Sequence, residues 1–272
     1  MKNPDDKNCL KFLKQSWQES GLNSGDTVLL HSSLKRTFNL LIDKGYRPSG
    51  ELILESLLDT LGNNGTLILP LFNFDFTKGI EFSFNETKSR MGILTEIARK
   101  HKDAVRTGHP IYSFCAIGKY SYLFKDLDNY SAFGSDSPFA ILRKIDGKIG
   151  VIDLMENDAV TFHHHVEEMM NVDFRYHKKF SGWYTDKRGN KTYKTYSFFV
   201  RDLEAGVERN LNVIGEKLTA ENIYNGSAPG VGNGFRLASA NKIFDFVKKI
   251  ILSGKAYNNL YIIKKNKDEF SK

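Results

Sequence analysis

The 272-residue sequence has few of the features that stabilise secreted proteins or span membranes. Its two cysteines, Cys9 and Cys115, are too few for a disulfide framework and have no metal-binding spacing. No apolar run approaches the ~18 residues that a transmembrane helix requires. The charged N-terminal segment also lacks the apolar core of a signal peptide. We therefore expect a cytoplasmic protein with reduced thiols and no membrane partner.

The sequence also lacks internal repeats, low-complexity tracts and a linker rich in proline or glycine. A chain of this length can form one large domain or two small ones. The absence of a linker favours one domain over residues 1–272. Hydrophobic residues make up 40% of the chain, and its 20 phenylalanines and 12 tyrosines indicate a packed core rather than disorder.

Helical patterns alternate with short β-type runs, which favours an α/β class. Strand patterns occupy residues 26–34, 66–70, 112–118, 148–154 and 191–200. Helices are expected at residues 8–20, 51–62, 91–100, 137–145, 159–171, 203–218 and 239–253. We expect these elements to form a layered α/β/α domain with a mixed central sheet.

Positive charge is concentrated in one segment. The net charge is +7, from 39 basic and 32 acidic residues. Between Phe174 and Arg201 there are eight lysines or arginines and one acid, Asp186. Such a stretch attracts phosphates or anionic surfaces. The composition alone favours the simpler interpretation, a solvated loop rich in lysine.

Residues 161–170 read TFHHHVEEMM and are expected to be helical. Adjacent helical residues point about 100° apart, so His163, His164 and His165 cannot all reach one metal ion. The apolar residues of this segment place His163 towards the edge of the core and His165 at its periphery. His164 is expected to lie opposite the core, where Glu167 and Glu168 follow it by three and four residues.

A histidine paired with a carboxylate suits a general base, because the carboxylate fixes the tautomer and stabilises the imidazolium. The alternative, a solvated surface pair, is the more common arrangement for an isolated histidine and glutamate. A zinc site built from His31, His109 and His164 is a third interpretation. The chain has neither an H-x-x-x-H nor an H-E-x-x-H spacing, so we expect no metal.

Five segments occur in an order and spacing that point to a known family. They are HSSL (31–34), MGILTEIAR (91–99), R-x-x-H-P-x-x-S (106–113), FGSDSPFAIL (133–142) and VTFHHHVEE (160–168). Together they make residues 25–180 similar to the aminoglycoside 3-N-acetyltransferases, which are antibiotic N-acetyltransferases that use acetyl-CoA. The resemblance implies an enzyme that moves an acetyl group from acetyl-CoA to an amine.

In the last segment, the family histidine corresponds to His164 and the family glutamate to Glu167. The resemblance implies that His164 is the general base, oriented by Glu167, with Glu168 as the alternative. His31 would orient the substrate or donate to the developing oxyanion, unless it is a strand-end histidine bonded to the backbone.

The coenzyme carries a pyrophosphate and a 3′-phosphate that need cations and hydrogen-bond donors. We expect contacts from the polar turn after the first strand, which comprises Ser32, Ser33, Leu34, Lys35 and Arg36. Ser137, at the start of a helix, offers a second anion site.

Residues 171–184, NVDFRYHKKFSGWY, resemble the branch of the family found with surface-polysaccharide biosynthesis genes. Arg175, Lys178 and Lys179 follow the histidine helix and are expected to bind substrate. Cations there would repel a polycationic drug but would pair with a diphosphate. The sequence therefore predicts a nucleotide-linked amino sugar as the small-molecule acceptor, with an aminoglycoside as the alternative.

Two other functions remain open from the residues alone. Nine aromatic residues interleave with the basic residues of 174–201, a composition typical of a nucleic-acid stacking surface. No RNA- or DNA-binding motif accompanies them, so we expect no nucleic-acid partner. A non-catalytic acyl-CoA-binding protein is the other alternative, which the His164–Glu167 pair argues against. The sequence leaves the oligomeric state open, including a homo-oligomer.

Overall fold

Helices cover both faces of a seven-stranded mixed sheet in the computed structural model, which describes residues 4–264. The helices are α1 (Pro4–Glu19), α2 (Lys35–Asp43), α3 (Gly50–Leu61), α4 (Ile93–Arg99), α5 (Pro138–Lys144), α6 (Glu156–Ala159), α7 (Phe162–Met169), α8 (Asn212–Ala220) and α9 (Ala240–Leu252). The strands are β1 (Thr27–Ser32), β2 (Thr66–Pro70), β3 (Phe82–Ser83), β4 (Val105–Arg106), β5 (Phe114–Gly118), β6 (Lys148–Ile152), β7 (Arg175–Thr185), β8 (Lys191–Arg201), β9 (Val207–Arg209), β10 (Asn225–Gly226), β11 (Phe235–Ser239) and β12 (Tyr261–Ile263).

The main sheet has the strand order β10-β11-β6-β1-β2-β5-β4. Strands β6, β1 and β2 run parallel, whereas β11 and β5 flank them antiparallel. The carboxyl ends of parallel strands meet at one edge, where open α/β sheets bind their ligands. His31, Pro70 and Ile152 therefore lie along one edge of this sheet.

Two buried cores, one on each face of the sheet, follow from the alternation of side chains along the central strands. Leu29 on β1 faces the core that includes residues of α5, α7 and α9. Val28 and Leu30 face the other core, which includes residues of α1, α3 and α4. Strands of a sheet that is covered on both faces have continuous apolar sequences, as β2 does. The predicted layered α/β/α domain with a mixed central sheet is confirmed.

Strands β7 and β8 form a long antiparallel hairpin beside the main sheet. All eleven residues of β7 pair with β8, from Arg175 opposite Arg201 to Thr185 opposite Lys191. The interpretation of residues 174–201 as a solvated loop was therefore wrong. Their aromatic residues favour strands and pack across the hairpin, as Trp183 does on Tyr193.

Several boundaries differ from the sequence predictions. The strand at 66–70 agrees with β2, but the helix expected at 159–171 is split into α6 and α7. The helix expected at 203–218 was wrong in its first half, because residues 207–209 form β9 and pair with β12. Within residues 4–264 no helix is long and apolar enough to cross a membrane. The one-domain prediction also covers residues 1–3 and 265–272, which lie outside the described residues.

Four histidines are buried and neutral in this fold. Burial lowers the pKa of His31, His109, His164 and His165 to about 4. An unfolded histidine titrates near 6.5. Between these two values the unfolded chain binds more protons than the folded chain.

The free energy of unfolding should therefore fall as the pH is lowered from about 6.5 towards about 4, by roughly 1.4 kcal/mol per unit of pKa shift for each histidine. Urea denaturation at pH 7 and at pH 5 measures this difference. Equal free energies of unfolding at the two pH values would contradict the buried neutral state of these histidines.

Candidate active site

His164 and Glu167 form a buried pair on α7. The Nδ1 atom of His164 lies 2.8 Å from Oε2 of Glu167, and both residues are at most 5% exposed. The contact follows from their separation by three positions, which places them on one helical face. Because Nδ1 faces the carboxylate, Nε2 is the ring nitrogen left to take a proton from a ligand.

Arg175, the first residue of β7, shares the same carboxylate. Its Nε atom forms a 2.6 Å ion pair with Oε2 of Glu167, and Nη1 donates to the carbonyl of Phe199. Its Nη2 atom lies 2.9 Å from Nδ1 of His164. Nδ1 cannot donate to Glu167 and accept from Arg175 at once, so the carboxylate and the guanidinium compete for Nδ1, and the ionised carboxylate is the partner to which Nδ1 donates.

Burial and the charge of Arg175 lower the pKa of His164 to about 4, against the opposing effect of Glu167. Burial alone would raise the pKa of Glu167, but Arg175 and His164 together hold it below its usual value. At neutral pH the site therefore contains an ionised carboxylate and a neutral imidazole. This imidazole is ready to accept a proton without first losing one.

The other two histidines of α7 are fully buried, so the prediction that His165 lies at the periphery was wrong. His165 donates from Nδ1 to the carbonyl of Phe133 (2.7 Å), and its ring packs against Phe139 and Phe244. The error arises because α7 is covered on every side. The helix packs against α5 and α9, and His164, expected on an exposed face, meets Arg175 of the hairpin.

His163 belongs to a second buried ionic cluster. Its Nε2 atom lies 2.7 Å from Oε1 of Glu156. Arg236 donates to Oε2 of that carboxylate at 3.1 Å, and the Tyr224 hydroxyl donates to Oε1 at 2.9 Å. The cluster compensates the buried charge of Glu156 and ties α7 to β11.

Glu168, the alternative partner of His164, is engaged elsewhere. Its Oε2 atom accepts a hydrogen bond from the Ser131 hydroxyl at 2.9 Å. Burial raises the pKa of Glu168. The geometry therefore leaves Glu167 in the position beside His164.

His31 is the penultimate residue of β1, at the carboxyl edge of the sheet, and is 5% exposed. Its ring centroid lies 6.4 Å from that of Phe72. Its Nε2 atom has no hydrogen-bond partner within residues 4–264. That atom is also closed to solvent, and the charges that act on the ring are those of Glu156 and Arg236.

The polar turn expected after β1 is shorter than predicted, because Lys35 and Arg36 already belong to α2. Ser32 and Ser33 are half-buried, Leu34 is buried and Lys35 is exposed. The Ser33 amide donates to the Ile152 carbonyl, so it is not free for an oxyanion. Arg36 donates to the Gly232 carbonyl and lies 3.9 Å from Asp153.

Ser137 does not form the open anion site that was predicted. Its hydroxyl accepts from the Ala140 amide as the N-cap of α5, and the residue is fully buried. The cap uses the side-chain acceptor, and the packing around Ser137 closes it to solvent.

His164 lines a cavity of about 300 Å³. The lining residues are Phe74, Tyr112, His164, Arg175, Phe198, Val200, Arg201, Leu203 and Arg209. Of these, the sequence analysis proposed only His164 and Arg175. Arg201 lies opposite Arg175 in the hairpin. Alternation of side chains in residues 175–185 could have indicated a second strand there, and with it this pairing.

The two predicted substrate-binding lysines lie on opposite faces of β7. Lys178 is directly opposite Phe198, which lines the cavity, so the two share a face. Lys179 is opposite Ser197 and points to the other face. Neither lysine is among the residues that line the cavity.

The zinc interpretation has no support in the geometry. Among the residues that the structure describes, no group of three or more His, Cys, Asp or Glu side chains is arranged to hold a metal ion. His109 is fully buried, and its Nδ1 atom accepts from the amides of Ile111 and Tyr112.

Comparison with known proteins places this architecture in a family. A sequence profile of aminoglycoside 3-N-acetyltransferases matches residues 29–251, more than half of the chain. The chain belongs to the aminoglycoside 3-N-acetyltransferase family. The resemblance inferred from the five segments is thereby confirmed.

Individual relatives are distant in sequence but similar in fold. Aminoglycoside N(3)-acetyltransferase VII of Streptomyces paromomycinus is 29% identical over 173 residues, a match that spans 56% of this chain and 57% of the relative. The crystal structure of aminoglycoside acetyltransferase AAC(3)-Xa superposes with a TM-score of 0.75 at 21% identity, covering 92% of this chain and 93% of that one. The structure of AAC-IIIb with CoASH gives 0.74 at 19% identity, covering 90% and 96%.

The arrangement around Glu167 predicts how His164 responds to loss of the neighbouring charge. Arg175→Met removes a cation that lowers the pKa of His164, so that pKa should rise. Arg175→Lys keeps the charge and should produce a smaller rise. NMR titration of the labelled imidazole measures both, with Arg188→Met as the control. An unchanged pKa in Arg175→Met would show that the guanidinium does not act on His164.

Proposed function

We propose that this chain acts as one N-acetyltransferase domain, which moves an acetyl group from acetyl-CoA to an amine of an amino sugar. The observation that carries the proposal is the neutral His164, paired with Glu167 and lining a cavity near the carboxyl edge of the sheet. Membership of the family supports the same activity.

In this mechanism His164 acts as the general base. The amine nitrogen attacks the thioester carbonyl, and Nε2 of His164 takes the proton that the amine loses. Glu167 accepts from Nδ1 and stabilises the imidazolium. The new C–N bond forms, the C–S bond breaks and the electron pair leaves with the coenzyme sulfur. That thiolate then takes the proton back from His164.

The tetrahedral intermediate needs a hydrogen-bond donor at its oxyanion. His31 fits this role because its neutral ring is buried at the carboxyl edge and its Nε2 atom is unpartnered within residues 4–264. The amide of Ser33, by contrast, is bonded to Ile152. We propose His31 as the oxyanion donor, which requires that ligand binding uncovers its Nε2 atom, since that atom is closed to solvent and His31 does not line the cavity beside His164.

The junction of β1 and α2 is the proposed contact for the coenzyme. Ser32 and Ser33 supply hydroxyls at the carboxyl edge, while Lys35 and Arg36 supply charge in the first turn of α2. The related AAC-IIIb forms a binary complex with CoASH, which supports a coenzyme A donor here. Leu34 is buried and packs beneath this junction.

The comparisons favour an aminoglycoside as the acceptor, because the relatives reported above are named for that activity. The nucleotide-linked amino sugar predicted from the sequence is the second candidate. One observation favours it: Arg175, Arg201 and Arg209 line the cavity beside His164. A polycationic acceptor would have to approach past these charges.

Replacing the proposed base tests the mechanism. His164→Ala should lower kcat by about a hundredfold or more, because general base catalysis contributes about that factor. Mass spectrometry of an aminoglycoside and of a nucleotide-linked amino sugar, each incubated with acetyl-CoA, measures the product and decides between the acceptors.

His101→Ala is the matched control, since this loop histidine lies on α4's side of the sheet and should leave kcat unchanged. His165→Ala is unsuitable, because the ring is buried and bonded to Phe133. A folded His164→Ala protein with the kcat of the wild type would refute the assignment. Absence of acetylated product with both acceptors would refute the proposed substrates.

A further inference from the structure

The cavity beside His164 contains positive charge that the protein does not neutralise. Arg175 is paired with Glu167. Arg201 and Arg209 have no carboxylate within ion-pair distance in residues 4–264, and the nearby Glu208 is paired with Lys264. Among the described residues, the side chain of Arg201 makes one long hydrogen bond, a 3.4 Å donation to the Val207 carbonyl.

The fold brings these two arginines together from different strands. Arg201 ends β8 directly opposite Arg175. The chain then turns back, with the Val207 amide donating to the Asp202 carbonyl, and β9 ends at Arg209. Pairing of β9 with β12 fixes its position. The two guanidinium groups thus reach the cavity from rigid elements.

Their charges act on each other and on the reaction centre. Burial lowers the pKa of Arg201, and the charges of Arg209 and Arg175 lower it further. Arg209 also contributes to the lowered pKa of His164. A bound anion would relieve this repulsion, and guanidinium groups match phosphate with paired hydrogen bonds.

The opposite wall of the cavity is aromatic. Tyr112 lies between Phe74 and Phe198, with ring centroids 5.9 and 5.2 Å away. Phe74 is 36% exposed, so part of this wall is open to a ligand. A ring or other apolar group of a ligand can pack there while its anionic group meets the arginines.

We propose that Arg201 and Arg209 form a phosphoryl-binding subsite beside His164. The ligand carries a phosphate or diphosphate next to a ring or apolar group that contacts Tyr112 and its neighbours. Two sources supply this chemistry, the phosphates of coenzyme A and the diphosphate of a nucleotide-linked acceptor. The choice between these sources rests on the proposed function, whereas the subsite itself does not.

Calorimetric binding to the full chain tests the subsite. The variants are Arg201→Gln and Arg209→Gln, and the control is Arg188→Gln in the turn of the same hairpin. The ligands are coenzyme A, a uridine-diphosphate-linked amino sugar and two phosphate-free counterparts, pantetheine and the free amino sugar. At least one phosphorylated ligand should bind tenfold or more weakly to each variant. Its phosphate-free counterpart and the control variant should be unaffected.

A loss confined to coenzyme A assigns the subsite to the donor, and a loss confined to the sugar nucleotide assigns it to the acceptor. Either result supports the subsite. Unchanged binding of both phosphorylated ligands, equal losses for the phosphate-free counterparts, or no binding to the wild type would overturn it. If the ligands bind as expected but the protein transfers no acetyl group, the proposed function is refuted and the subsite is not.

Discussion

The buried carboxylate of Glu167 links the histidine helix to the rest of the molecule. An ionised carboxylate in the interior is costly unless it is paired and hydrogen-bonded. Here it is compensated by His164 from its own helix and by Arg175 from the start of β7. Arg175 in turn donates to Phe199 on β8. The compensation of one charge therefore fixes how the hairpin lies against α7 and where the cavity opens.

The opposite side of α7 is held in a similar way. Glu156 is buried, and its charge is shared among His163, Arg236 and Tyr224. His165 uses a neutral hydrogen bond to Phe133 instead. Three consecutive histidines thus have three different partners, and two of them hold the helix while the third faces the cavity. This division of roles explains how a short, polar helix of eight residues can lie inside the protein.

Local patterns predicted the central sheet and the family, because buried strands and the five matched segments are contiguous in sequence. The pairing of His164 with Glu167 was also predictable, since helical geometry brings residues three apart onto one face. The burial of α7 was not, because it depends on tertiary contacts with the hairpin and α9, which the periodicity of the helix does not reveal. For the same reason Arg201 and Arg209 were missed: only the pairing of β7 with β8 and of β9 with β12 brings them to the cavity. Lys35 and Ser137 were assigned from local turn chemistry, and the packing around them decided their exposure.

The account depends on a neutral His164 that carries its proton on Nδ1 and leaves Nε2 free. Nitrogen-15 chemical shifts of the labelled imidazole at pH 7 report this tautomer directly. The account predicts a protonated Nδ1, hydrogen-bonded to Glu167, and an unprotonated Nε2. An imidazolium, or a neutral ring protonated on Nε2, would contradict it, because neither could take a proton from an amine in the cavity.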